Sequence, residues 1–600
     1  MRRRSLVGVV LVFAAGMAGG WMLRSKVSAR ATVRAAPPLK ASIAAIGENG
    51  LTPQDRASFY HLSEGGELFP LDWALALEVE TPVADGTVQV RPFLDDIERY
   101  GLLADGKHQG NPYGLPVGVS LARAKTTGVE MIGLNCSACH VGQVQYQNHA
   151  VRVDGAGNMV LVNKFLQDLA TETERTMKAP HRLARFWERL REIRRERRAG
   201  GVDAPAAEDE RVMRRLAHLF TSNRGLLEAQ VNALRNVPTL ARSIAISTQE
   251  GYGRLDAFGI GRDELFGAIG ANSLPADAPV SIPHVWGMEY TGWLQWGANT
   301  NSVMERNIGQ ALGVGALLDA KTFESTVRLD NLHTLEGLAY KITPPTWPDA
   351  FPPIDQARAE TGRGLFYKYC AGCHETFKTD GQMRTYQLFP LDEVGTDPMT
   401  AINYERQVQL KDGSTAYFPD AALDLIVKVK TRAYEDLKLD AKTIAEWEQR
   451  AVRKGPQWDP TFRAPLLQSE RFADTKGRRV YRAKTLVGIW ATAPFLHNGS
   501  VPTIYDLLRP AADRPVSFPT GQREYDPAKL GLQTDPSKFT LPPGLIPFTF
   551  DTRLRGNWNT GHEWNFYPTL TDDLRYAIIE FLKTYTREPP NPGTPPRSAD

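Results

Sequence analysis

Residues 362–374 read Gly362-Arg-Gly-Leu-Phe-Tyr-Lys-Tyr-Cys-Ala-Gly-Cys-His374, and this stretch decides the fold. Gly362, Leu365, Phe366 and Tyr369 recur at helical spacing, which predicts an amphipathic helix running into Cys370. Cys370 and Cys373, separated by two residues, sit on one helical turn, where each can form a thioether to a haem vinyl group. His374 then falls directly beneath the iron as proximal ligand. Near the far end, Thr571 reads as an N-cap ahead of Asp572 and Asp573. Leu574, Ile578, Phe581, Leu582 and Tyr585 line one face of a terminal helix, and Pro589-Pro590 stops it.

The pattern occurs a second time as Cys136-Ser-Ala-Cys139-His140, and the two motifs use all 4 cysteines. Two disulfides, a redox-active Cys-x-x-Cys pair or a zinc site are the bland readings. None of them gives a reason for histidine in the fifth position twice. A helix leading into Cys-x-x-Cys-His, crossed by a C-terminal helix, resembles the cytochrome c core. The expected fold is therefore mainly α: two cytochrome c-like haem domains with long loop insertions and little β structure. Five prolines between Pro344 and Pro353 set the expected domain boundary, giving a first haem domain at 49–343 and a second at 344–600. In the first of these, Leu183, Phe186, Leu190 and Ile193 repeat at helical spacing among the mixed charges of 178–198, which reads as a solvated amphipathic helix rather than a partner-docking site.

The 71 basic and 68 acidic residues nearly cancel, so the chain carries no nucleic-acid footprint. Arg2 to Arg4 precede Ser5 to Leu23, an uncharged and mostly apolar run that just reaches membrane-spanning length. Arginines ahead of the run favour export of the remainder of the chain, to the periplasm or beyond. Residues 1–24 read as a signal peptide or an inner-membrane anchor, since Ala29-Arg30-Ala31 fits a cleavage pattern but lies beyond the run. The Ala-, Arg- and Pro-rich residues 25–48 read as a spacer.

Function turns on what holds the other face of each iron, because a doubly ligated haem carries electrons and an open one can bind oxygen or peroxide. His562 sits in the flexible loop Gly556-Asn-Trp-Asn-Thr-Gly561-His562-Glu563 just ahead of the terminal helix, the place from which cytochromes c supply a sixth ligand. His497, in Ala493-Pro-Phe-Leu-His497-Asn-Gly-Ser500, is expected to hydrogen-bond a haem propionate rather than ligate. No comparable loop histidine stands ready for the first haem, and His149 comes too soon after His140 to cross to the opposite face. The first iron is expected to be five-coordinate.

These residues resemble the di-haem cytochrome c peroxidase superfamily, and within it the rubber oxygenase A/B-like branch. The resemblance covers most of the chain after the spacer. It is carried by Asn111-Pro-Tyr-Gly-Leu-Pro-Val-Gly118, Gly133-Leu-Asn-Cys-Ser-Ala-Cys-His-Val-Gly142, Arg152-Val-Asp-Gly155, Leu255-Asp-Ala-Phe-Gly259 and Ala278-Pro-Val with Trp286. Arg306-Asn-Ile-Gly-Gln-Ala-Leu-Gly313, Gly488-Ile-Trp-Ala-Thr-Ala-Pro-Phe-Leu-His-Asn-Gly-Ser500 and Gly561-His562-Glu563 extend it. It implies that His140, His374 and His562 ligate iron and that the first haem is catalytic, activating dioxygen in an apolar pocket to cleave a carbon–carbon double bond. It also implies an electron-relay role for Trp296 in Trp293-Leu-Gln-Trp296. Where rubber oxygenase A has a distal phenylalanine, Ala311 stands here, which implies a roomier pocket walled by Trp293, Trp296, Ala311 and Leu312. No Gln/Glu pair with the peroxidase spacing is found.

The expected activity is thus an exported di-haem oxygenase cleaving an apolar unsaturated substrate. Peroxide reduction fed by a small periplasmic electron-transfer protein, and simple electron transfer, are the alternatives. A calcium ion between the domains, as in related peroxidases, has no support in the sequence.

Overall fold

Asp355 starts the leading helix of the second motif, accepting a hydrogen bond from the Arg358 backbone N–H at 3.0 Å. The helix runs Gln356–Tyr369 and gives way to the single turn Ala371–His374. The computed structural model describes residues 42–45, 49–82, 88–124, 128–199, 248–266, 272, 275–288, 293–300, 302–319, 321–374, 388–410, 412–451, 479–541, 544–563 and 569–586. Thr571 caps the terminal helix Asp572–Thr584 through Leu574, as its sequence predicts. The two helices cross at Gly362, where a Cβ would lie 1.8 Å from the Ala577 carbonyl oxygen, so only glycine permits the approach. Phe366 then reaches Phe581 and Tyr585, each with ring centres 5.0 Å away, and Ile578, Ile579 and Leu582 are buried behind them. Each such side chain contributes about 1.5–3 kcal/mol by leaving water.

The first motif has a different setting. It sits between two small sheets rather than at the end of a long helix. Val119–Arg123 pairs antiparallel with Glu130–Leu134, the turn Cys136–His140 comes next, and Val141–Tyr146 folds back on His149–Asp154. Strands win here because Met131, Ile132 and Leu134 are all buried and the helical surroundings of the second motif have no counterpart. Gly118, with φ +84°, packs directly on the motif: a Cβ there would fall 2.1 Å from the Ala138 backbone nitrogen. The molecule remains mainly helical, with 43% helix against 18% strand in small scattered sheets. Ser42–Ala45, inside the expected spacer, forms a strand parallel to His149–Asp154.

The chain divides into two compact units. The smaller comprises Met1–Pro38, Leu71–Asp96 and Phe165–Glu210. In it Phe186 of the helix Pro180–Ala199 meets Trp73 edge-on at 5.8 Å, and Leu190 and Ile193 are buried as the helical spacing predicts. Several of its basic residues are paired within the unit, Arg182 with Glu172 at 2.6 Å and both Arg194 and Arg197 with Asp72. The larger unit holds Leu39–Pro70, Ile97–Lys164 and Arg211–Asp600, and therefore both haem motifs. The 343/344 junction falls inside it. Among the described residues no helix is long and apolar enough to cross a membrane, and residues 5–23 lie outside them.

Gly362→Ala is expected to force the crossing helices apart and to cost about 1–3 kcal/mol of overpacking, read as a Tm several degrees lower. Gly364→Ala, where a Cβ meets nothing within 4 Å, is the control and should leave the Tm unchanged or slightly raised.

Candidate haem centres

Asn135 shapes the first motif. Its side-chain oxygen accepts from the Ser137 backbone N–H at 3.1 Å and from the Ser137 hydroxyl at 2.7 Å, while its amide donates to the Phe59 and Leu62 carbonyls. His140 Nδ1 lies 2.9 Å from the Pro283 carbonyl, so Nδ1 carries the proton and Nε2 presents its lone pair. Burial, then Arg306, pushes the His140 pKa down to about 3, which keeps the ring in the neutral form a metal needs. His140 is half-buried by area, and its surroundings still desolvate the ring.

The second centre is built alike. His374 Nδ1 lies 2.8 Å from the Lys484 carbonyl. Opposite it stands His562, with ring centres 6.3 Å apart and planes 22° from parallel. Two imidazoles binding one metal from opposite sides, at about 2.0–2.1 Å per nitrogen, have ring centres roughly 6.2 Å apart. The gap therefore fits a single iron between them. His562 is held with φ +56° by a hydrogen bond from its backbone N–H to the Val394 carbonyl at 3.0 Å. Burial, followed by His374, Arg514 and His497, lowers its pKa to about 3.

The charges around both motifs fit haem as well. Burial and the neighbouring Arg482 and Arg306 push the Lys484 ammonium well below its usual range, and burial pushes Arg254 down to about 9. Nε and Nη1 of Arg254, Nε2 of His284 and Nδ1 of His497 are buried without a hydrogen-bond partner. Buried cations and donors in surplus are what a group bearing two carboxylates offsets. The His497 ring lies 4.4 Å from that of Tyr481 and 6.4 Å from that of Trp296.

Among the described residues no ring stands opposite His140 as His562 stands opposite His374. His284 follows Pro283, whose carbonyl meets His140 Nδ1, and its own ring stacks on Trp286. The residues expected to form one pocket wall are distributed. Ala311 and Leu312 belong to the main core on the helix Val303–Gly313, whereas Trp293 packs in a small separate cluster with Ala298. Trp296 donates to the Ser281 carbonyl at 3.0 Å, stands 6.4 Å from His497, and has the Lys484 ammonium 5.6 Å from its ring centre.

Sequence reasoning missed Pro283, Lys484 and Glu64. The first two act through main-chain carbonyls, which no residue type announces. Glu64 is fully buried with one oxygen 2.5 Å from the Cys136 backbone nitrogen and 2.7 Å from its sulfur. Away from the motifs, His61, Asp105 and His108 bring ligand atoms within 4.8 Å of one another. Because the His108 Nδ1 accepts from Gly110, its Nε2 carries the proton and donates to Asp105 at 2.9 Å, so this trio is a hydrogen-bonded group.

A family model described as RoxA-like, cytochrome c-like matches residues 480–519. The uncharacterised protein y4iJ of Sinorhizobium fredii is 32% identical over 603 residues, covering 90% of this chain and 92% of that one. A second uncharacterised protein of the same bacterium, y4iM, is 29% identical over 319 residues, covering 50% of this chain and 64% of its own length.

Burial raises the Glu64 pKa to about 7 against the pull of Cys136 and Arg306. Converting Cys136 to a thioether removes a donor that lowers it, so the direction holds in the haem-loaded chain. A carboxyl group raised in the folded state stabilises fully below about pH 4.5, and that contribution is lost as pH rises through about 7. Glu64→Gln should therefore gain stability over the parent by on the order of 3 kcal/mol between pH 4.5 and 8, measured by denaturant unfolding at each pH.

Proposed function

The chain belongs to the family of the Sinorhizobium fredii protein y4iJ, and its RoxA-like cytochrome c segment marks it as a haem c redox protein; on that premise we propose that it is an exported di-haem oxygenase. Its substrate is an apolar unsaturated molecule, cleaved with dioxygen at the His140 centre. One observation carries this reading: the imidazole pair His374/His562 is spaced for one iron, while among the described residues His140 has no such partner.

When bound, haem c at the first motif supplies dioxygen activation, and at the second it stores and passes single electrons. The protein's own part is positional. Pro283 orients His140 and raises the basicity of its Nε2 by accepting the Nδ1 proton. Ile308 and Ala311, fully buried on the helix Val303–Gly313, offer an aliphatic face that excludes water and suits a hydrocarbon. His562 closes the second centre against small molecules, which confines chemistry to the first. Trp296, beside His497 and Lys484, suits an electron relay because an indole is polarisable and oxidisable. The apolar run at 5–23 directs the chain out of the cytoplasm, to the side of the membrane on which covalent haem loading takes place.

Haem staining and pyridine haemochrome analysis should give two covalent haems per chain, falling to one in a Cys370→Ala/Cys373→Ala variant. Resting EPR should show one low-spin bis-histidine signal and one signal from a centre with a free or weakly held sixth position. His562→Ala should abolish the low-spin signal and shift the second haem's potential while leaving two haems attached. Incubation with polyisoprene or a carotenoid-like olefin should yield carbonyl products with matching oxygen uptake. Two low-spin signals insensitive to O2, CO and peroxide would reject catalysis, and peroxide turnover well above free haem without olefin cleavage would replace the oxygenase with a peroxidase.

A further inference from the structure

The two motif histidines are anchored to segments that are themselves joined. His140 Nδ1 meets the Pro283 carbonyl at 2.9 Å, and His374 Nδ1 meets the Lys484 carbonyl at 2.8 Å. The Lys484 ammonium donates to the His284 carbonyl at 2.8 Å. Pro283 and His284 share a peptide bond, so a continuous path runs from His140 through Pro283, His284 and Lys484 to His374. Lys484 enters it twice, by its carbonyl and by its ammonium.

The surroundings keep this joint rigid. His284 is buried and stacks on Trp286, ring centres 4.6 Å apart and planes 14° from parallel. Trp286 donates to the Val487 carbonyl at 2.8 Å, tying the two strands of chain together a second time. Trp296, held on Ser281, lies under the ammonium. Among the described residues no carboxylate pairs with Lys484; its hydrogen bond goes to a neutral carbonyl. Whatever offsets its charge, the ammonium is fixed in place by the His284 carbonyl and the Trp296 ring.

We propose that Lys484 is a positioning residue that couples the two haem centres, holding the Pro283–His284 turn with its ammonium and His374 with its carbonyl. This rests on the reading of two haems per chain. With haem bound at both motifs, a change in the hydrogen bond between His374 and the Lys484 carbonyl would shift residue 484. Lys484 would carry that shift through its side chain to the His284 carbonyl, and so to the Pro283 carbonyl that holds His140. A change of oxidation state at one centre would thereby alter how the histidine of the other is held.

The experiment compares the first haem's ferric EPR and magnetic circular dichroism with the second haem ferric and then ferrous, in the full-length holoprotein. Haem content is measured first: one haem per chain would overturn the two-haem reading itself, separately from the coupling. In the parent, reducing the second haem should shift the first haem's signal. Lys484→Met keeps the main-chain carbonyl on His374 and should lose more than half of that shift, with both haems present and the low-spin signal unchanged. Lys484→Arg should restore it. A parent without any shift, or a Lys484→Met holoprotein with the full shift, overturns the proposal. Should Lys484→Met fail to load haem, Lys484→Gln replaces it: loss of the shift supports the coupling, and retention overturns it.

Discussion

The hydrogen bond from each motif histidine's Nδ1 to a main-chain carbonyl is the constraint on which the rest of the site depends. It fixes the tautomer, aims Nε2 into the cleft and ties ligand orientation to the backbone rather than to a mobile side chain. Pro283 and Lys484 are distant in sequence from the histidines they serve, so each centre is completed only by tertiary structure. That requirement explains why the segments 281–286 and 480–487 are so heavily cross-linked. Ser281 receives Trp296 and donates to His497, Trp286 reaches Val487, and Lys484 reaches His284.

The same arrangement makes the two halves of the site interdependent. Each acceptor carbonyl lies in the same expected domain as its histidine, and what crosses between the two ranges is the hydrogen bond from Lys484 to His284. Here the carbonyl serving His374 comes from a residue whose ammonium grips the turn serving His140, and both motifs belong to one compact unit. The smaller unit shows the opposite tendency: its arginines are neutralised by Glu172, Glu78 and Asp72 of the same unit. Within the run from Arg182 to Arg198, Arg182, Arg185, Arg194 and Arg197 are thus paired where they stand.

What could be read in the sequence depended on how local each signal is. The leading and terminal helices of the second motif were legible because caps, periodicity and the stopping prolines lie within a few turns of one another. His562 was legible because a Gly- and Asn-rich loop ahead of a helix is a recognisable place for a ligand, and the structure sets its ring across from His374. The strands around the first motif were not legible: their pairing partners are separated by loops, and the motif's own helix is one turn long. Glu64 escaped notice because it lies far from Cys136 in sequence, though its carboxylate touches that residue's nitrogen and sulfur. Lys484 and Pro283 contribute carbonyl oxygens, which every residue possesses. The wall expected from Trp293, Trp296, Ala311 and Leu312 came from resemblance alone, and the structure assigns those residues to different neighbourhoods.

The crossing at Gly362 bears on the order in which the molecule is put together. Its counterpart, Ala577, is translated more than two hundred residues after Gly362, so the leading helix cannot complete its packing until residues 572–584 have been made. The helix that ends at Cys370 therefore waits, half-packed, for a distant stretch of the same chain, and folding of this part of the molecule has a built-in direction.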